Sequence, residues 1–249
     1  MAELDTAEEK NVNRSTLASR SICGIINKQE DKKHSKRKAD FMEKYFGIGS
    51  PLAKLMTLLA NTICISLLWL LGSLSIVTVG PSTTAAYYAA MKTLGGETAV
   101  FRNYIKSFRE NWRQAIVLEL FTAVPALVLA GGVFLISGLD SQMPYGIGVA
   151  YGGLVFVFLA VSGYVFPLLS YFVFPTGILL KNAVLIAFAN MGWTLAAVMV
   201  NLVPWMLGML PLDWTVRLLP LLVALVPGTA ILLNGWIYSR IFPKYVQEQ

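Results

Sequence analysis

Four polar side chains interrupt the long apolar runs of this sequence and are the first candidates for chemistry. They are Glu119, Asn61, Asn201 and Asn234. An ionisable group inside a membrane span is costly and by default marks a functional site, whereas an interhelical hydrogen bond contributes only about 0.6 kcal/mol. Two interpretations stay open: the four residues line a cytoplasm-facing cavity, or they only join helices, with Glu119 reaching back to the membrane interface.

Combinations of residues typical of enzymes do not occur in the sequence. The single histidine, His34, lies in a polar segment, so no Ser-His-Asp set can form. Neither a Cys-x-x-Cys pair nor a glycine-rich phosphate loop with lysine is present. Cys23 lies in polar sequence and Cys64 in apolar sequence, which argues against a disulfide. We expect a protein that is not an enzyme, without catalytic residues, metal ligands or a cofactor.

The composition requires a lipid environment. Hydrophobic residues make up 56% of the chain and charged residues 14%, against about 25% charged residues in soluble domains. Residues 115–242 contain only Lys181, Arg217 and Arg240 as cations. The net charge of +6 comes from cations that flank the apolar runs, as in proteins oriented by the positive-inside rule. We therefore expect a lipid bilayer as partner and no nucleic acid.

The predicted fold is all-α, a polytopic membrane helical bundle with five transmembrane helices and one short return or sixth segment. Residues 1–40 are predicted to be a disordered, basic cytoplasmic tail, and residues 41–246 a membrane helical domain. A span needs about 20 apolar residues. The predicted spans cover residues 55–79, 115–137, 145–174, 193–212 and 218–242, and the short segment covers 81–94.

The short segment decides the predicted topology. Gly80-Pro81 begins a helix of about 14 residues, too short for an ordinary span. If this helix returns the chain across the membrane, every cation except Arg217 lies on the cytoplasmic side, together with both termini. We favour this arrangement. The alternative is an interfacial helix followed by inverted spans.

Two further segments are predicted to be helices at the cytoplasmic surface. Residues 97–113 place aromatic residues on one face and charged residues on the other, as membrane-surface helices do. The aromatic residues expected to contact the membrane or a partner are Phe101, Tyr104, Phe108 and Trp112. Residues 177–191 repeat the pattern with fewer polar positions.

Two blocks of sequence carry a resemblance to a known family. Residues 67–88 read LLWLLGSLSIVTVGPSTTAAYY, and residues 100–115 read VFRNYIKSFRENWRQA. Near the C-terminus the resemblance includes Asn234 and YSRIF at 238–242. Across residues 41–246 the chain resembles the YesL-like bacterial membrane proteins, domain of unknown function 624. The resemblance implies a multi-pass protein of the bacterial cell (inner) membrane, and it carries over no ligand or catalytic residue. Genes of the family often lie beside genes for carbohydrate uptake and polysaccharide degradation.

Two functions therefore stay open. In the first, the protein is an accessory or regulatory component associated with carbohydrate uptake, and its amphipathic helices bind a sugar transporter complex. In the second, it is a small transporter in its own right, a homo-oligomer that uses Glu119 and the three asparagines as its path. We favour the first, since polar residues within the spans are few and the amphipathic helices are well formed.

Overall fold

The computed structural model describes residues 51–138, 145–208 and 212–246. Within these ranges the chain forms helices and no strand, which confirms the all-α bundle. The predicted tail 1–40 lies outside the described residues. The helices are α1 (Pro51–Gly72), α2 (Val79–Leu94), α3 (Val100–Gly138), α4 (Tyr145–Tyr171), α5 (Thr176–Ala189), α6 (Met191–Gly208), α7 (Leu212–Ile241) and α8 (Pro243–Val246), with a 3-10 turn at Ile76–Thr78.

Four helices are long and apolar enough to cross a membrane: α1, α3, α4 and α7. The predicted span at 193–212 corresponds to α6, which meets this test only together with α5. The two helices are bent by 104° at their junction, so they form one broken span or a re-entrant loop. The described residues therefore hold four spans, or five when the bent pair counts as one.

The chain divides after Leu58 into two units, and all that follows concerns the second, Leu59–Gln249. In this unit α2 is the most enclosed helix. It has 16 residues, a length of about 24 Å at 1.5 Å per residue, and most of its residues are buried. Alanines and short hydroxyl residues let α3, α4 and α7 approach it closely. The buried residues of α2 show that this helix packs inside the bundle.

Helix α3 joins two segments that the sequence predicted separately. The amphipathic stretch 97–113 and the span from 115 form one uninterrupted helix of 39 residues, about 58 Å long. Its proline, Pro125, lies beyond the junction. Between residues 100 and 124 the sequence has no glycine or proline to end a helix, so the helix continues.

Candidate functional site

A cavity of about 250 Å³ lies between α2, α3, α4 and α6. Five of its lining residues carry side-chain hydroxyl or amide groups, and none carries a charge. These polar residues are Thr83, Tyr87, Thr122, Ser162 and Asn201. The remainder of the wall is Leu159, Gly163, Phe166, Pro167, Val198 and Leu202.

Two of the four predicted polar residues meet beside this cavity. Asn234 Nδ2 donates to Asn201 Oδ1 at 2.8 Å, and it lies 3.5 Å from the Tyr87 hydroxyl oxygen. Asn234 is fully buried on α7, and its Oδ1 has no hydrogen-bond partner among the described residues. Asn234 thus fixes the orientation of the Asn201 carboxamide, which faces the cavity.

Three tyrosines that were not among the predicted site residues pack against one another next to this asparagine pair. The rings of Tyr87 and Tyr164 lie edge-on to the ring of Tyr238, with centroids 5.8 and 5.0 Å away. The Tyr238 hydroxyl donates to the carbonyl of Gly163 at 2.8 Å, beside the cavity wall. Tyr164 forms a hydrogen bond with Thr194 at 2.9 Å. Tyrosine buries a large apolar ring but still needs a polar partner, so the cluster forms where these partners exist.

Glu119 lies on α3, next to the first turn of α2, and is not among the residues that line the cavity. Its carboxylate accepts a hydrogen bond from the backbone N–H of Gly80. A helix N-terminus carries unpaired N–H groups and partial positive charge, so the carboxylate stabilises the first turn of α2. A Cβ at Gly80 would lie 2.9 Å from the Ala115 carbonyl oxygen, which explains the glycine at this close approach.

Asn61 remains apart from the other three residues. It lies half-buried on α1, outside the cavity lining. The structure therefore unites Asn201 with Asn234 and leaves Asn61 and Glu119 elsewhere. Similar depth in the membrane was the basis for grouping them, but the rotation of each helix decides which side chains meet.

The aromatic residues predicted to form one contact face of α3 are divided by the structure. Phe101 is 63% and Trp112 46% exposed. Tyr104 is buried, and its hydroxyl lies 2.8 Å from Ser82 Oγ. Phe108 is half-buried and stacks on Tyr104, with ring centroids 6.1 Å apart.

The buried face of α3 is a stripe with helical spacing that includes small polar residues. Its members are Val100, Asn103, Tyr104 and Ser107. Asn103, although polar, is buried, and its Nδ2 donates to Glu97 Oε2 at 3.1 Å. On the opposite side α3 exposes four cations: Arg102, Lys106, Arg109 and Arg113. Their spacing of three or four residues aligns them in one basic stripe.

An ion pair closes the connection between α2 and α3. Lys92 Nζ lies 2.9 Å from Glu97 Oε1, and both groups are exposed. The hydrogen bond from Lys92, then that from Asn103, lowers the pKa of Glu97 below its ordinary value. The same bond to Glu97 raises the pKa of Lys92.

A metal centre is not formed by the described residues, which hold no group of three His, Cys, Asp or Glu side chains. The arrangement at the cavity offers hydrogen-bond donors and acceptors without an ionised group. This chemistry suits binding of a small molecule.

Comparisons with known proteins find a partial similarity to one family. Residues 62–133 match the family described as "Protein of unknown function, DUF624". A curated relative is the "Uncharacterized protein YesL" of Bacillus subtilis (strain 168), 29% identical over 136 residues, which cover 53% of this chain and 64% of YesL. The alignment thus spans less than two thirds of that relative. No solved structure matches the chain. The matched block contains α2, most of α3 and Glu119, and over this block the chain is similar to the YesL-like proteins that carry the DUF624 segment.

Proposed function

We propose that this protein is an accessory or regulatory membrane component associated with carbohydrate uptake. The observation that carries the proposal is the outward face of α3, defined by Phe101, Trp112 and the basic stripe. Arginine and exposed aromatic residues are typical of binding hot spots. The family's gene neighbourhood, implied by the resemblance, suggests a sugar transporter complex as the partner.

The proposed topology puts this face in the cytoplasm. With α2 as a return segment, both termini and every cation except Arg217 lie on the inner side of a bacterial cell membrane. Helix α3 is about 58 Å long, whereas the hydrocarbon core is about 30 Å thick. The half of α3 that carries the outward face therefore extends beyond the hydrocarbon, where a partner can reach it.

Site-specific crosslinking in the native host tests this proposal. A photoreactive phenylalanine analogue replaces Phe101, and the control replaces Phe121, which has a similar exposure of 60% on the apolar half of the same helix. We expect position 101 to capture the permease or ATPase subunit of a sugar transporter, and position 121 to capture it far less. Gentle-detergent purification should recover that subunit in near-equal amounts. A protein that purifies without it, and that crosslinks to no transporter subunit at position 101, would contradict the accessory function.

The second candidate is a small transporter, favoured by the uncharged polar cavity between membrane helices and by the 104° break between α5 and α6. Broken helices commonly form transporter binding sites. In this case we expect a homo-oligomer without other subunits, and uptake of substrate by the purified protein in liposomes. Absence of uptake from a sugar panel, together with a co-purifying transporter subunit, would decide for the accessory function.

A further inference from the structure

We propose that the cavity between α2, α3, α4 and α6 binds a small, uncharged, polyhydroxylated molecule of monosaccharide size. For a role in transport, the inference rests on the second candidate function, the small transporter, and names the class of molecule that it would carry. Binding itself requires neither transport nor the outward face of α3. The site is thus also compatible with an accessory protein that senses the transported sugar.

The size of the cavity limits the ligand. Its volume of about 250 Å³ lies just below the range of about 300–1,000 Å³ for pockets of drug-sized ligands. At about 30 Å³ per water molecule, it holds roughly eight waters. A single sugar ring or a cyclic polyol fits this volume, whereas an oligosaccharide or a nucleotide does not.

The lining determines the charge of the ligand. No Asp, Glu, Lys or Arg side chain contributes to the wall. A charged ligand would lose its hydration in this site without gaining an opposite charge, which is strongly unfavourable. The cavity therefore selects neutral molecules.

The donors in the site come from the asparagine pair and its tyrosine. The Asn201 Oδ1 atom accepts the bond from Asn234, so the Asn201 Nδ2 group, which faces Gly163, keeps its N–H groups for a ligand. The Tyr87 oxygen is the acceptor for Asn234, so its own O–H remains a donor. Among the described residues neither group has a protein acceptor.

Acceptors come from hydroxyl groups that donate to their own helix. Ser162 donates to the Leu159 carbonyl at 3.2 Å, and Thr122 donates to the Glu119 carbonyl at 3.0 Å. The lone pairs of both hydroxyls remain available. A ligand hydroxyl both donates and accepts, so a molecule with several hydroxyls satisfies both sets of groups. The rings of Phe166 and Tyr87 offer apolar surface to the C–H groups of such a ring.

Equilibrium binding to the purified full-length protein in detergent tests the inference. The probes are glucose, xylose and myo-inositol, with glucuronate and glucosamine as charged counterparts. Trp69 reports occupancy by its fluorescence, because its Nε1 donates to the cavity residue Thr83 at 3.0 Å. We expect saturable binding of at least one neutral probe, and binding of the charged probes at least tenfold weaker.

Variants distinguish a ligand site from a structural void. Loss of one hydrogen bond in Asn201→Ala should weaken binding about tenfold. Ser162→Leu should abolish binding by filling the cavity, without touching the asparagine pair. Its control is Thr229→Leu, an exposed hydroxyl on α7 that bonds the carbonyl three residues earlier in the same way; this variant should bind like the wild type.

Three results would overturn the inference. They are absence of saturable binding for all three neutral probes, equal binding of the charged probes, and undiminished binding in folded Ser162→Leu protein. Saturable binding without uptake in liposomes would leave the site intact and reject only the transporter function. Loss of crosslinking at Phe101 would reject the partner surface and leave the cavity untouched.

Discussion

Helices α3, α4 and α7 each have buried residues towards one end and exposed apolar residues towards the other. In α3 the buried residues lie between Val100 and Leu118, and none follows up to residue 135. Among the side chains described in α4, from residue 146 on, the first buried one is Ala160, and in α7, from residue 217 on, the first buried residue is Gly228. We call these parts the enclosed end, and the remaining parts of α3, α4 and α7 the apolar end. The apolar end exposes large side chains such as Leu127 and Leu154.

This difference shows where the protein is held by its own contacts and where it relies on lipid. Helix association in a membrane gains nothing from apolar burial as such and depends on close packing and hydrogen bonds. The enclosed end supplies these through small residues of α2 and the tyrosine cluster. The cavity lies at the border, since Thr122 and Leu159 line it beside Gly163 and Asn201.

Matched leucine truncations give the largest expected contrast between the two ends. Leu168 is fully buried, whereas Leu127 is 73% exposed. Leu168→Ala should lower the free energy of unfolding by about 2–5 kcal/mol, and Leu127→Ala should change it by less than about 0.5 kcal/mol. Thermal or denaturant unfolding in a mild detergent measures both. Equal losses would mean that the apolar end is packed as tightly as the enclosed end.

Matched glycine substitutions probe the contact of α2 with α3. A Cβ at Gly80 would meet the Ala115 carbonyl oxygen and Phe166 Cε1, each at 2.9 Å, whereas one at Gly131 meets nothing within 4 Å. We expect Gly80→Ala to destabilise the protein by about 1–3 kcal/mol. Gly131→Ala should be neutral or stabilising by up to about 1 kcal/mol. A Gly80→Ala protein as stable as the wild type would refute the close approach of α2.

A double-mutant cycle measures the asparagine pair itself. Asn201→Ala, Asn234→Ala and the double variant should give a coupling energy of about 0.6–1.7 kcal/mol, the range for hydrogen bonds between membrane helices. Unfolding in detergent supplies the three values. Asn61→Ala combined with Asn234→Ala is the control pair and should show additive effects. Strict additivity for Asn201 and Asn234 would contradict their bond.

The smallest effect is expected at the exposed ion pair between α2 and α3. The pKa of Glu97 is lowered, so its contribution to stability is present above the unfolded-state pKa and is lost as the pH falls through the folded-state value. The pKa of Lys92 is raised, so the lysine contribution is lost as the pH rises through its folded-state value. Glu97→Gln should flatten the acid side of the pH–stability profile. An unchanged acid side would mean that the pair contributes nothing measurable.

The sequence predicted the helices well because long apolar runs admit few other structures in a membrane. It placed Asn201 and Asn234 in the same part of the bundle, and the structure joins them. It could not separate Asn61 from that group. The depth of a residue in the membrane follows from its position in the sequence, whereas the direction of its side chain depends on the rotation and packing of the helix. The junction of α5 and α6, bent by 104°, agrees with the predicted boundary between the surface helix 177–191 and the span from 193, but the size of the bend does not follow from the sequence.

The sequence held a signal for the tyrosine cluster. Tyr87 and Tyr238 both lie in the blocks that carried the family resemblance, but a tyrosine in an apolar run is usually attributed to the membrane interface. On α3, Asn103 and Ser107 stand among charged residues, and polar residues are usually exposed, so the sequence alone does not indicate that both are buried. Asn103 donates to Glu97 and Ser107 accepts from Asn111, and these hydrogen bonds compensate the burial of both polar groups.

Because α3 is one uninterrupted helix, its two ends move together. Phe101, on the proposed partner surface, and Thr122, on the cavity wall, lie on one helix with no glycine or proline between them, about 32 Å apart along its axis. A rigid rod of this kind cannot tilt at one end without displacing the other. Any movement of α3 that accompanies filling of the cavity therefore also displaces its outward face, the proposed partner surface. By linkage, a partner that prefers one tilt changes the affinity of the cavity for its ligand by the same factor.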